Sequence, residues 1–227
     1  MSEKQAKSKK LDQTEIVVVL DRSGSMGSIK EATVNGFNTF LDEQKNAEGE
    51  AFITLVQFDD RYEMNYQSIP VAEAQPLVAG ETFVPRGTTA LYDAIGKTIN
   101  DLKTDRDVIF VIITDGHENA SKEFKVEAVK KMIQSLTEED GWKFIFLAAN
   151  QDAILSGNSI GISGANSMTY AANAESTSAA FFSVSSNMAS YRSSKFKSLS
   201  DEAAIEYLKY HSKDLQFKDQ QRKDSDK

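Results

Sequence analysis

At 227 residues, 40% of them hydrophobic, the chain can bury a sizeable core, as one large domain or as a domain with an appendage. Its 34 acidic against 26 basic side chains leave a formal net charge of −8, which opposes a phosphate backbone and argues against nucleic-acid binding. It contains no cysteine, which excludes disulfides and thiolate metal sites, and no apolar run approaches the roughly 18 residues that span a bilayer.

The polar, lysine-rich start, Met1 to Lys10, has no apolar segment behind it and does not read as a secretory signal. Residues 1–13 are expected to be a flexible basic tail, and the protein cytoplasmic. Ile16-Val17-Val18-Val19-Leu20 is a β-branched run that predicts a strand buried on both faces. Ser28-Ile29-Lys30-Glu31 has the pattern of a capping box. Ile29, Thr33, Phe37, Phe40 and Leu41 follow at helical spacing, predicting a helix to about Asn46 that Gly49 ends. Phe52–Phe58 and Tyr62–Gln67 are strands joined by the Asp59-Asp60 turn. So short a connection allows only antiparallel pairing.

A looser stretch holds all three prolines, Pro70, Pro76 and Pro85, with Gly80 and Gly87. Leu91, Ile95, Thr98, Ile99 and Leu102 then mark a second helix, and Val108–Thr114 a second buried strand ended by Asp115-Gly116. Val126, Val129, Ile133 and Leu136 mark a third helix. Trp142–Ala148 is a strand whose Trp142 and Phe144 are expected to pack in the core or at an edge. Asp152–Ser159 reads as a short helix and Ser167–Ala171 as a last edge strand. The serine-rich stretch from Ser176 could be low-complexity linker, but Phe181, Val184, Met188 and Tyr191 recur at three-four-three spacing and favour a packed helix. The Phe181-Phe182 pair is expected to cap the sheet edge. Asp201–Tyr210 looks helical, and residues 212–227, with Leu215 and Phe217 as their apolar anchors, are expected to be frayed.

This alternation predicts an α/β fold: a Rossmann-like three-layer sandwich, with a central mostly parallel sheet, one antiparallel edge strand and helices on both faces. Ligands of such sheets bind at the carboxyl ends of the strands, where strand order reverses. There Asp21-Arg22-Ser23-Gly24-Ser25 follows the first buried strand, putting a carboxylate and two hydroxyls together. Such hard oxygens suit Mg²⁺, Mn²⁺ or Ca²⁺ rather than zinc or copper. Asp115 ends the next buried strand that has a helix before it. Arg86-Gly87-Thr88-Thr89 is a turn able to bring a third hydroxyl to the same mouth.

These three elements resemble, in order and separation, the metal-ion-dependent adhesion site (MIDAS) of von Willebrand factor A-type domains. Asp21-Arg22-Ser23-Gly24-Ser25 matches the family's Asp-x-Ser-x-Ser element, Gly87-Thr88-Thr89-Ala90-Leu91 its threonine loop, and Ile113-Thr114-Asp115-Gly116 its strand-end aspartate. The resemblance covers residues 14–172 and leaves 173–211 as a C-terminal helical extension packed on the domain. It implies that Ser23, Ser25 and Thr89 offer hydroxyls to Mg²⁺ (Mn²⁺ or Ca²⁺ being possible), with Asp21 and Asp115 mostly holding the ion's waters. It implies further that the open position takes an Asp or Glu carboxylate from another protein, with no catalysis. Thr88, one step from Thr89, is a possible substitute for it. Arg22, Thr88, His117 and Glu118 are candidates for the partner-binding rim. Arg22 could equally be a solvated turn residue, and Glu118 and Asn119 ordinary loop polar groups.

Three other readings compete. Asp21–Ser25 could be only a strand-to-helix turn with capping residues. A phosphohydrolase or phosphotransferase of the haloacid dehalogenase type would need a second acid where Ser23 stands. A serine hydrolase built on Ser25, Asp115 and His117 would lack a Gly-x-Ser-x-Gly elbow.

Overall fold

The computed structural model describes residues 10–198, 213 and 215–226. Strand β1 (Lys10–Asp21) lies between two parallel neighbours, β2 (Glu50–Phe58) and β4 (Arg106–Thr114). Paired on both edges and covered on both faces, β1 needs apolar side chains at successive positions. Ile16, Val18 and Leu20 enter one core layer, Val17 and Val19 the other. The sheet order is β3-β2-β1-β4-β5-β6, with β3 (Tyr62–Pro70) antiparallel to β2 at one edge. On the other side β5 (Lys143–Ala149) and β6 (Ser167–Tyr170) continue in parallel. The chain therefore leaves β1 for one side of the sheet and returns on the other as β4. The carboxyl ends of β1 and β4 flank the switch point, where a crevice must open.

Helices α1 (Lys30–Asn46) and α5 (Ala174–Ser198) cover one face; α2 (Leu91–Asp101), α3 (Val126–Glu139) and α4 (Ala153–Ser159) cover the other. Trp142 and Phe144 are core residues, their rings lying 6.5 and 5.2 Å from that of Phe110. Among the described residues, no helix is long and apolar enough to cross a membrane.

Several local features differ from the sequence expectations. The first helix is entered through a 3₁₀ turn, Gly24–Ile29, and Ser28 does not cap it: its hydroxyl donates to the Ser25 carbonyl. With a helical turn already in front of α1, its first amides have main-chain acceptors nearby, and a capping box has nothing to satisfy. Residues 10–13, expected in the tail, belong to β1, with Lys10 paired to Arg106 and Gln13 to Glu50.

α5 packs along α1, where Phe181 lies so close to Gly36 that a Cβ there would strike its ring. Phe181 is therefore buried between helices while Phe182 is 60% exposed, and the expected cap on the sheet edge is not made. Consecutive helical residues point about 100° apart, so only one of the pair can face α1. Further along, the buried Arg192 donates to the carbonyls of Gln44 and Gly49 at the end of α1. The helix expected over 201–210 lies outside the described residues.

Residues 215–226, within the segment expected to be frayed, are docked. Leu215 and Phe217 are buried, and helix α6 (Asp219–Ser225) lies against the outer edge of β6. Arg222 donates to the carbonyls of Gly164, Ala165 and Ser167, and the Ala171 amide donates to the Ser225 carbonyl at 2.9 Å. An edge strand exposes unpaired main-chain groups that invite association; here the Arg222 side chain takes up one of them, at Ser167, a polar contact that leaves no apolar pattern in the sequence. Leu215→Ala should cost about 2–4 kcal/mol in urea unfolding. An unchanged midpoint would mean that the segment is not docked.

Candidate metal centre

Three loops meet at the carboxyl ends of β1 and β4, tied pairwise. The first, residues 21–25, follows β1. Its Gly24 amide donates to the Gly87 carbonyl (3.2 Å), and its Arg22 carbonyl accepts from the Arg86 amide (2.8 Å). The second loop, residues 86–89, is tied to the third by Thr89. The Thr89 amide donates to Asn119 Oδ1 (2.9 Å), and the Thr89 carbonyl accepts from the amides of Asn119 and Ala120. The third loop, residues 115–120, closes back on the first: Ser25 Oγ donates to Asp115 Oδ1 at 2.6 Å, across 90 residues of sequence.

Glycines permit this approach at two points. Gly87 adopts φ +66°, and a side chain there would also collide with Asp60. At Gly116 a Cβ would lie 2.7 Å from Thr89 Oγ1, so the threonine hydroxyl reaches the third loop only because that position is bare. Thr89 is 2% exposed and faces this junction, whereas Thr88 is exposed to solvent.

Asp21 is fully buried. Its Oδ1 accepts from the Ser23 amide and its Oδ2 from Thr114 Oγ1, each at 2.6 Å. Ser23 Oγ stands 3.1 Å from Ser25 Oγ. Burial pushes the Asp21 carboxyl up to about 6 against the lowering effect of these hydrogen bonds, with a small further rise from the charge of Asp115. Burial also raises Asp115, opposed by the hydrogen bond from Ser25. No lysine or arginine contributes to either carboxylate's environment among the described residues. Two facing carboxylates, three neutral hydroxyls and no organic cation make a donor set suited to a hard divalent ion. Among the described residues no group of three or more His, Cys, Asp or Glu side chains is placed to hold a metal ion.

The structure thus brings together Asp21, Ser23, Ser25, Thr89 and Asp115, and divides the four rim candidates. Thr88 and His117 are exposed at the mouth. Arg22 is neither on the rim nor a solvated turn residue: it is 5% exposed and lies between Asp59 and Glu63, at 3.2 and 2.6 Å. Directly after the buried run from Thr14 to Asp21, its side chain has little access to water and turns to the acids at the end of the neighbouring hairpin. Its hydrogen bond is the main cause that draws the Glu63 carboxyl down to about 2. Glu118 is also committed internally, accepting from the amides of Tyr92, Ala120 and Ser121 and from the Ser121 hydroxyl. It satisfies the open start of α2 and leaves no free carboxylate for a partner.

Two supporting residues were not anticipated. Thr114 bonds Asp21 because register sets the two level on adjacent strands, with Leu20 opposite Ile113. Gln151 donates to the Gly116 carbonyl from the loop after β5. Neither relation follows from spacing along the chain; both need the strand order.

No protein-family model matches the sequence, and no curated protein matches it. Solved structures do. A von Willebrand factor type A protein from Catenulispora acidiphila aligns with a TM-score of 0.53 at 14% identity, over 81% of this chain and 43% of that one. Proximal thread matrix protein 1 from the mussel byssus, in a form described with a zinc-occupied MIDAS motif, gives 0.51 at 17% identity, over 70% and 41%. The pilus adhesin SpaC from Lactobacillus rhamnosus GG gives 0.63 at 14% identity, over 83% and 32%. The chain has a von Willebrand factor A-type fold and spans less than half the length of each of these proteins.

The buried charge of Asp21 yields a pH prediction for the metal-free protein. Its folded pKa, about 6, lies above the ordinary aspartate value of 3.8, so between these values the folded state binds more protons than the unfolded one. Stability should therefore fall as pH rises from about 4 to about 7, by about 2–3 kcal/mol, and millimolar Mg²⁺ should restore it at neutral pH. Asp21→Asn should keep only the fall that Asp115 contributes and gain less from Mg²⁺. Urea unfolding at pH 4, 5.5 and 7, with chelator and with Mg²⁺, is the check.

Proposed function

We propose that this chain is a cation-dependent protein-binding module. Ser23, Ser25 and Thr89 with Asp21 and Asp115 would hold a divalent ion, Mg²⁺ in preference to Mn²⁺ or Ca²⁺, and the bound ion would take an Asp or Glu carboxylate from another protein. The observation that carries this reading is the bond from Ser25 to Asp115, which joins the first and third loops beside a buried, uncompensated Asp21. The ion would supply the positive charge that the described residues do not. With neutral hydroxyls among its donors, part of that charge stays uncompensated toward solvent and attracts an anionic oxygen.

The mussel protein's zinc-occupied motif supports cation binding on this fold. In this chain every donor is a hard oxygen, with neither imidazole nor thiolate among them, which favours Mg²⁺ over zinc. Thr88 and His117, exposed at the mouth, are positioned to meet the partner.

A metal-dependent phosphohydrolase is the alternative, and the local geometry argues against it. Where such an enzyme would place its second acid, Ser23 donates its amide to Asp21 and its hydroxyl faces Ser25. A Ser–His pair is not formed either, since the Ser25 hydroxyl is engaged by Asp115 and Ser23.

Titration calorimetry with Mg²⁺ and Mn²⁺ should detect one site. Ser25→Ala and Thr89→Ala should weaken it about tenfold or more while unfolding stays cooperative. On an array of acidic peptides, binding should require the cation and disappear when Asp or Glu is changed to Asn or Gln. Equal peptide binding in chelator would refute the proposal, as would phosphate-ester turnover that is lost in Ser23→Ala.

A further inference from the structure

Tyr170, the last residue of β6, is 1% exposed, and its hydroxyl has no hydrogen-bond partner among the described residues. A buried phenol left unsatisfied is costly, so an orphan hydroxyl calls for an explanation. Packing needs only the ring, and a phenylalanine would serve that purpose.

The sheet register shows which residues share the row of Tyr170. Thr114 pairs with Ala148, and Ala149 pairs with Tyr170. Carried one residue past β4, the same row runs Asp115, Ala149, Tyr170 across three adjacent strands. Tyr170 and Ala149 belong to the core layer shared with α1 and α5, as do the alternate β4 residues Ile109, Val111 and Ile113 that lead up to Asp115. Asp115 leans to this same side, since it accepts from Ser25, and Ser25 lies in the turn entering α1. The residue between them is an alanine, whose single methyl leaves room for the phenol to lie across the row. In agreement with this placement, the negative charges of Asp115 and then Asp21 act on Tyr170, adding to the larger effect of burial in keeping its hydroxyl protonated. Ser176 and Thr177, in the first turn of α5, are buried hydroxyls that also lack partners among the described residues.

We infer that Tyr170 is a positioning residue of the metal centre: its buried hydroxyl donates, through an intervening water, to the Asp115 carboxylate and orients it toward the cation. This rests on the cation-binding reading above. The hydroxyl makes no direct bond to Asp115, and a buried water bridging polar groups satisfies them nearly as well as a direct contact. Ser176 and Thr177 would be further partners for such water. Held from below, Asp115 keeps one oxygen for Ser25 and turns the other toward the ion. This is the orienting role that outer-shell donors have in metal sites generally.

Two readouts separate positioning from packing. In Tyr170→Phe the ring and its packing stay, so the metal-free protein should still unfold in one cooperative urea transition close to the wild-type midpoint. Its affinity for Mn²⁺, measured by the electron paramagnetic resonance of the free ion, should fall about tenfold. Tyr66→Phe is the control: Tyr66 also has a buried hydroxyl without a partner among the described residues, on β3 at the far edge of the sheet, and its loss should leave Mn²⁺ affinity unchanged. Unchanged affinity in Tyr170→Phe, or an equal loss in both variants, would overturn the assignment while leaving the cation site standing. A wild-type protein that does not bind Mn²⁺ would instead overturn the reading beneath it.

Discussion

A carboxylate without a countercharge sits at the top of the central strand. Asp21 is fully buried, receives hydrogen bonds from the Ser23 amide and the Thr114 hydroxyl, and faces a second acid, Asp115. Burial of an unpaired charge is costly, and its raised pKa is one expression of that cost. The folded chain therefore stores, at the mouth of its sheet, an electrostatic imbalance that a divalent cation would remove. Few arrangements of side chains are so poor for stability in isolation and so well suited to an ion.

The topology makes the imbalance possible. Because the chain leaves β1 on one side and returns as β4 on the other, no crossover covers the ends of these two strands. Loops from β1, from the start of α2 and from β4 can therefore converge there. They are fastened mainly through the backbone: Gly24 to Gly87, Arg86 to Arg22, and Thr89 to Asn119 and Ala120. Backbone fastening fixes the positions of the hydroxyls of Ser23, Ser25 and Thr89, and the side-chain bond from Ser25 to Asp115 closes the first loop onto the third. The charged groups nearby are used in the same way. Arg22 and Arg86 converge on Asp59 and Glu63, stiffening the ground behind the first two loops without adding charge to the mouth.

Much of this could be read from the chain alone, for identifiable reasons. The run from Ile16 to Leu20 announces a doubly covered strand because such a strand requires unbroken apolar character. The donors at Asp21, Ser23 and Ser25 announce themselves because they follow it immediately. Most of what failed depended on contacts distant in sequence. Arg22 looked free because its acidic partners lie beyond the next strand, and Glu118 because the amides it satisfies belong partly to α2. The C-terminal segment looked frayed because its anchoring is by Arg222 to main-chain carbonyls, which leaves no hydrophobic pattern. Phe181 and Phe182 looked alike, and only the bare Gly36 on α1 decides which of them is buried. Thr114 and Tyr170 were invisible as site residues until strand register set them in the rows of Asp21 and Asp115.

The central claim is positional: one divalent ion, held where the three loops meet. Crystals grown in millimolar Mn²⁺ and measured at a wavelength where manganese scatters anomalously test it most directly. The expected result is a single strong anomalous peak within coordination distance of oxygens from Ser23, Ser25 and Thr89, with Asp21 and Asp115 around it. A map without a peak at that point, in a crystal whose loops are otherwise as described here, would contradict the account.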